Sequence, residues 1–191
     1  MTNTKRISCQ GDRSHFPYLQ VWEAITKVNE LFASEEFYER IAEHPDFDQA
    51  NVSPVTIAAL IRKARLDLSV DLYYARNPLK NIDGYDDVAD PSVIHMNIWK
   101  IDRPVASICN SIVHAAVHAV NSFYDRCYFG HDLISIASNA NTAPYAIGAI
   151  AECMISGEEK PLVIMEHDIV ENTTFMVRTP VIHTYASAMS A

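Results

Sequence analysis

The chain has 191 residues, 49% of them hydrophobic and 20% charged, with a formal net charge of −9. A chain of this length buries a core without covalent staples, and its acidity argues against a surface built to neutralise phosphates. No segment approaches the ~20 consecutive apolar residues of a membrane span.

Residues 1–16 are polar and are expected to be a flexible N-terminus. In PYLQVWEAITKVNELFAS, Val21, Ile25, Val28 and Leu31 recur at helical spacing. SEEFYERIAEH follows as a short helix, with Ser34 as its cap and Glu35 and Glu36 in the first turn. SPVTIAALIRKARL is a stronger helix: Ser53 suits the N-cap and Pro54 the first helical position. Its apolar residues Ile57, Leu60, Ile61 and Leu66 lie broadly on one side. The period then changes. LSVDLYYA is aromatic and β-branched enough for a strand, and NPLKNIDGYDD is rich in turn formers. SVIHMNIW, residues 92–99, is a second strand, with Val93, His95 and Asn97 on one face and Ile94, Met96 and Ile98 on the other.

DRPVASICNSIVHAAVHAVNSFYD has the strongest helical pattern in the chain, with Asp102 or Arg103 near the cap and Pro104 in the first turn. The next stretch, RCYFGHDLISIASNANTAPYAIG, is expected to be irregular, with a helix from about Ala146 through AIGAIAECMIS. The tail can hold two strands. The four cysteines, Cys9, Cys109, Cys127 and Cys153, form no Cys-x-x-Cys pair and give no disulfide framework. The first sixteen residues have no apolar run able to act as a cleaved secretory signal, so a cytoplasmic protein, or one secreted without a cleaved leader, is expected. Neither a nucleic-acid nor a membrane partner is expected.

His114 and His118 stand four apart in that helix. Residues at this spacing share a helix face, so two imidazoles can reach one ion at about 2.0–2.1 Å. A catalytic zinc needs a third protein ligand and one open position. In the His-Glu-x-x-His motif of zinc peptidases, the residue after the first histidine is the base that takes a proton from water. Here that residue is Ala115.

The order DLSVDLYYA, NIDGYDD, PSVIHMNIW and ASICNSIVHAAVH, followed by GHD and NTAPYAIG, resembles the small bacterial zincins. The resemblance covers residues 67–148. It implies an α+β, zincin-like fold with N-terminal helices, a small twisted mixed sheet with an edge strand along the cleft, and a metal-bearing active-site helix. It implies Zn2+ as cofactor, with His114 and His118 as helix ligands and His131 as the loop ligand. That third ligand lies farther along than metzincin spacing, at which Tyr124 would stand. His131 is favoured over Asp132, Asp125 and Glu152, with Glu152 the second choice and Asp132 also suited to orienting an imidazole. Cys127 is a weaker possibility as a soft ligand. Tyr145 resembles a phenol that donates to a tetrahedral oxyanion; its other reading is an aromatic packed in the core. His95 and Asn97, on the expected edge strand, are candidates to hydrogen-bond a peptide or protein substrate.

Ala115 departs from the family pattern where hydrolysis needs a carboxylate. Three readings stand: a deliberate silencing of a Glu, a natural pseudoenzyme, or an accidental motif. The expected function is a zinc metallopeptidase silenced at position 115, with a bacterial effector or toxin as the expected setting. A non-catalytic peptide-binding module is the alternative. Residues 17–191 are read as one domain, in which 156–191 have no assigned role.

Overall fold

The computed structural model describes residues 5–9, 18–73, 84–86, 92–131 and 139–159, with the side chains of 84–86 excepted. The expected tail strands and Asp132 lie outside these residues. The chain is mixed α and β, as expected. Its elements are β1 (Arg6–Cys9), α1 (Tyr18–Ala33), α2 (Glu35–Ala42), α3 (Pro54–Lys63), β2 (Asp67–Tyr73), β3 (Gly84–Asp86), β4 (Val93–Asn97), a 3-10 turn (Ile98–Lys100), α4 (Val105–Ser122) and α5 (Ala143–Ser156).

The four strands form one sheet in the order β1-β2-β4-β3. β1, β2 and β4 run parallel, while β3 pairs antiparallel with β4 through Gly84–Met96, Tyr85–His95 and Asp86–Ile94. Parallel neighbours need a long crossover, and α1, α2 and α3 fill the one between β1 and β2. Alternation along each strand sends Ile7, Cys9, Leu68, Val70, Ile94 and Met96 into the core. Asp67 and Asp71 stay exposed on the opposite face.

Three expectations are corrected. Residues 6–9 are a paired strand rather than part of a flexible terminus. Asn29 on α1 fixes β1: its Oδ1 accepts from the Ile7 N–H at 3.0 Å, and its Nδ2 donates to the Ile7 carbonyl at 3.0 Å. The second correction concerns the sheet edge. β4 lies between β2 and β3, so among the described strands the edge beside it is β3, from a segment expected to be a turn. Third, α5 begins at Ala143 rather than near Ala146 because Pro144 presets the backbone of the first turn.

The helices follow their local chemistry. α1 buries Val21, Ala24, Ile25, Val28, Leu31 and Phe32 on one stripe. The Ser53 side chain accepts from the Thr56 N–H at the start of α3. Ser34 precedes α2 as expected but makes no side-chain cap bond. α5 ends on Gly157 at φ 71°, the left-handed position that glycine adopts without strain.

α4 is the central helix and packs closely on both α1 and α5. Its contact with α5 depends on Gly148: a Cβ there would meet the Asn110 side-chain oxygen and, at 3.1 Å, the Asn110 carbonyl. Gly148→Ala should therefore destabilise the protein by about 1–3 kcal/mol. Thermal unfolding should show this as a drop of several degrees; an unchanged midpoint would mean that the two helices can separate freely.

Burial also sorts the thiols. Cys9 and Cys109 are buried, whereas Cys127 and Cys153 are half-buried. Burial, reinforced by the Asp71 carboxylate, pushes the Cys9 thiol up to about 11, and burial pushes Cys109 up to about 12. Only the thiolate alkylates readily. Native protein treated with iodoacetamide at pH 8 should take label at Cys127 and Cys153 first, with the other two reacting only on denaturation, as peptide mass spectrometry would reveal.

Candidate metal centre

His114 and His118 stand one turn apart on α4, and His131 reaches them from the loop that follows. The loop is held at several points. Phe129 is fully buried, and its N–H donates to Asn121 Oδ1 at 2.8 Å. The Tyr128 N–H donates to Asn51 Oδ1 at 2.7 Å, the Asn51 N–H returns to the Tyr128 carbonyl at 2.9 Å, and Asn51 Nδ2 donates to the Arg126 carbonyl. These bonds set where His131 emerges.

The three imidazoles present their Nε2 atoms to one another. The separations are 3.2 Å for His118–His114, 3.0 Å for His118–His131 and 3.4 Å for His131–His114. A tetrahedral ion with bonds of 2.0–2.1 Å spaces its ligand atoms by about 3.3–3.4 Å. The triangle nearly matches three corners of that tetrahedron, so small ring movements would complete it. Where these Nε2 atoms carry lone pairs rather than hydrogens, they repel at such distances unless a cation or a proton lies between them. Burial opposes the proton. It holds His114 well below its ordinary value of 6.5, with further lowering from His118 and His131, and burial with His131 brings His118 down to about 3. Neutral imidazole is the metal-binding form. The triad can therefore hold a metal ion.

Tyr145, in the first turn of α5, lies against this group. Its ring centroid is 4.5 Å from that of His114, edge-on, and 5.0 Å from that of His131. Burial raises its phenol above the ordinary value of 10, keeping it protonated and able to donate. The N-terminus of α5 is tied to the loop after α2: Asp48 bridges to Thr142, the Asp48 N–H donates to the Asn141 carbonyl at 3.0 Å, and Gln49 Nε2 donates to Asn139 Oδ1 at 2.9 Å.

The remaining candidates separate. Ala115 is on α4 directly after His114 and is nearly buried, at 8% exposure. Glu152 does not join the histidine group; its Oε2 accepts from Asn110 Nδ2 at 2.9 Å. Among the described residues the metal-ligating group is His114, His118 and His131 without Cys127, and Asp125 is exposed. Tyr124 packs against the core, and its hydroxyl lies 3.5 Å from the Leu60 carbonyl. His95 and Asn97 belong to the inner strand β4 rather than an edge. His95 Nδ1 is 3.2 Å from Asp71 Oδ2, and the buried Asn97 accepts from the Trp99 N–H. The asparagines that seat the His131 loop were not singled out from sequence, because no local pattern links Asn51 to Tyr128.

Comparison of the chain with protein-family models, with curated proteins and with solved structures finds no match. No helix among the described residues is long and apolar enough to cross a membrane.

Proposed function

We propose that this chain is a zincin-type zinc metallopeptidase in which Ala115 occupies the position of the catalytic base. The observation that carries the reading is the convergence of three Nε2 atoms within 3.0–3.4 Å of one another. Two come from the helical His-x-x-x-His, and the third comes from the following loop. Three nitrogen ligands with no fourth protein ligand among the described residues match the donor set of a catalytic zinc rather than a closed structural one.

When bound, zinc supplies Lewis acidity and an acidified water for attack on a peptide carbonyl. The chain's own residues provide the setting. Tyr145 donates toward the oxygen on which negative charge develops. β3 receives an extended peptide on its outer edge, where no described strand pairs with it, and it lies close to α4. This replaces the substrate-binding role expected of His95 and Asn97, since the inner strand β4 already pairs on both sides. Ala115 accepts no proton, so the chain as written should bind substrate without efficient cleavage.

The test is Ala115→Glu, loaded with zinc and offered a denatured protein. Cleavage absent from the parent chain supports the peptidase reading. Zinc binding without cleavage of any substrate in a broad panel favours a metal-dependent binding module instead.

A further inference from the structure

Two rings of the site, His131 and Tyr145, stand on elements other than α4, and one short loop braces both. The segment between α2 and α3 meets the His131 loop through Asn51 and the start of α5 through Asp48. Tyr128, which bonds to Asn51, lies three residues before His131, and Thr142, which bridges to Asp48, lies three residues before Tyr145. The two rings have centroids 5.0 Å apart.

Hydrogen bonds and packing restrain this brace along its length. Phe47 is buried, and the His44 ring stacks on it at 4.3 Å with the planes 8° apart. Asn141 Nδ2 donates to the Asp46 carbonyl at 3.2 Å and to Asp48 Oδ1 at 3.1 Å, and Gln49 Nε2 donates to the buried Asn139. Gln49 itself has φ 58°, in the left-handed region that residues with a Cβ seldom adopt. Such a conformation persists where its surroundings over-determine it, and here the bonds of Asp48 and Asn51 fix the chain on either side. Asn51 is exposed, yet it makes three hydrogen bonds to residues 126–128: its Oδ1 accepts from the Tyr128 N–H, its N–H donates to the Tyr128 carbonyl, and its Nδ2 donates to the Arg126 carbonyl. Tyr128 in turn packs over Gly130, where a Cβ would come within 3.4 Å of its ring. Asn121 ties the same loop to α4, and Asn51 ties it to the brace. An exposed side chain with three bonds to one loop adds little to the core; what it fixes is the loop.

We propose that Asn51 is a positioning residue of the metal site: through the backbone of residues 126–128 it holds His131 Nε2 at the third corner of the triangle, in register with Tyr145 at the other end of the same brace. The proposal rests on the three-histidine metal reading above. His131 Nε2 stands 3.0 and 3.4 Å from the two helix nitrogens, and a working ligand set tolerates only about 0.5 Å of misplacement. A ligand on a loop keeps that precision where the loop is itself bonded in place. Without Asn51, part of the binding free energy of the ion goes into ordering the loop.

The experiment measures the zinc affinity of the full chain by competition with a chromophoric chelator. Coordination is followed in the visible spectrum of the cobalt(II)-loaded protein, which is intense for four ligands and weak for six. Asn51→Ala should weaken zinc binding by about 10-fold or more, the loss typical when a group that orients a metal ligand is removed. Its cobalt band should also weaken, as water replaces His131. Asn51→Asp keeps the acceptor for the Tyr128 N–H and should retain most of the affinity and the parent spectrum. Asn29→Ala is the control for general stability: it removes both side-chain bonds to Ile7 and should lower the thermal midpoint with neither metal readout changed. Should Asn51→Ala fail to fold, Asn51→Leu, which keeps the volume without polar atoms, is read in its place. Parent-like affinity and spectrum in Asn51→Ala, an Asn51→Asp variant as weak as Asn51→Ala, or an equal loss in Asn29→Ala overturns the proposal and leaves the metal reading intact. If the parent chain binds neither zinc nor cobalt, the metal reading itself is overturned and the proposal with it.

Discussion

His118→Ala should abolish stoichiometric metal binding: on the proposed reading the parent chain should carry about one zinc per molecule by elemental mass spectrometry, and the variant close to none. His118 is the corner shared by the two shortest Nε2 separations, 3.0 and 3.2 Å. Removing it leaves two imidazoles, one on α4 and one on the loop, with no third donor among the described groups able to replace it. Two ligands do not define the tetrahedral face that three define. The substitution is also mild for the helix, since alanine has the highest helical propensity. Relief of crowding among three half-buried imidazoles should offset much of the lost packing, so the metal-free variant should remain folded by circular dichroism. A variant that keeps a full equivalent of zinc would place the ion elsewhere and remove the basis of the site.

Ala115→Glu should raise peptide hydrolysis by about 10²- to 10⁴-fold over the chain as written, the usual contribution of a positioned general base. Position 115 follows His114 on α4, so a glutamate there projects beside the imidazoles. Ala115 is 8% exposed, so the longer side chain must find room toward the partly exposed His114 and His118 on α4. Its carboxylate would then be partly desolvated, which raises its pKa toward the working range of a base. The gain should appear in kcat, with zinc content unchanged, because ligation and proton transfer are separate tasks. Progress curves for a quenched fluorescent peptide, with a metal-chelated control, would measure it. An Ala115→Gln variant should bind zinc equally and show no gain, since an amide cannot accept the proton. A rate increase shared by the glutamine variant would argue against base catalysis.

Much of this was legible locally. The 3.6-residue recurrence of Val21, Ile25, Val28 and Leu31 is inherent in the chain, and burial of one stripe follows wherever that helix packs. Ser53 and Pro54 mark the start of α3 by chemistry that acts within four residues. The His114–His118 pair is equally local, because helix geometry alone puts the two rings on one face. Resemblance, rather than spacing, suggested His131 and Tyr145, and the fold brings both rings against the pair.

Other features required the assembled molecule. β1 and β3 have four and three residues, too few to carry a period, and they are strands because neighbouring backbones supply their hydrogen bonds. The inner position of β4 was hidden for the same reason: which strand lies at an edge is a property of the sheet. Glu152 stood second to His131 as a third ligand, and where α5 approaches α4 at Gly148 it accepts from Asn110 instead. What the sequence by itself determined is the local periodicity, the capping and the pair of imidazoles on one helix face, since those depend on backbone geometry over a few residues. Only the tertiary structure decided the third nitrogen and the burial that keeps the imidazoles neutral. Each of these needs groups far apart in the chain, such as Asn51 and Tyr128, to meet in space.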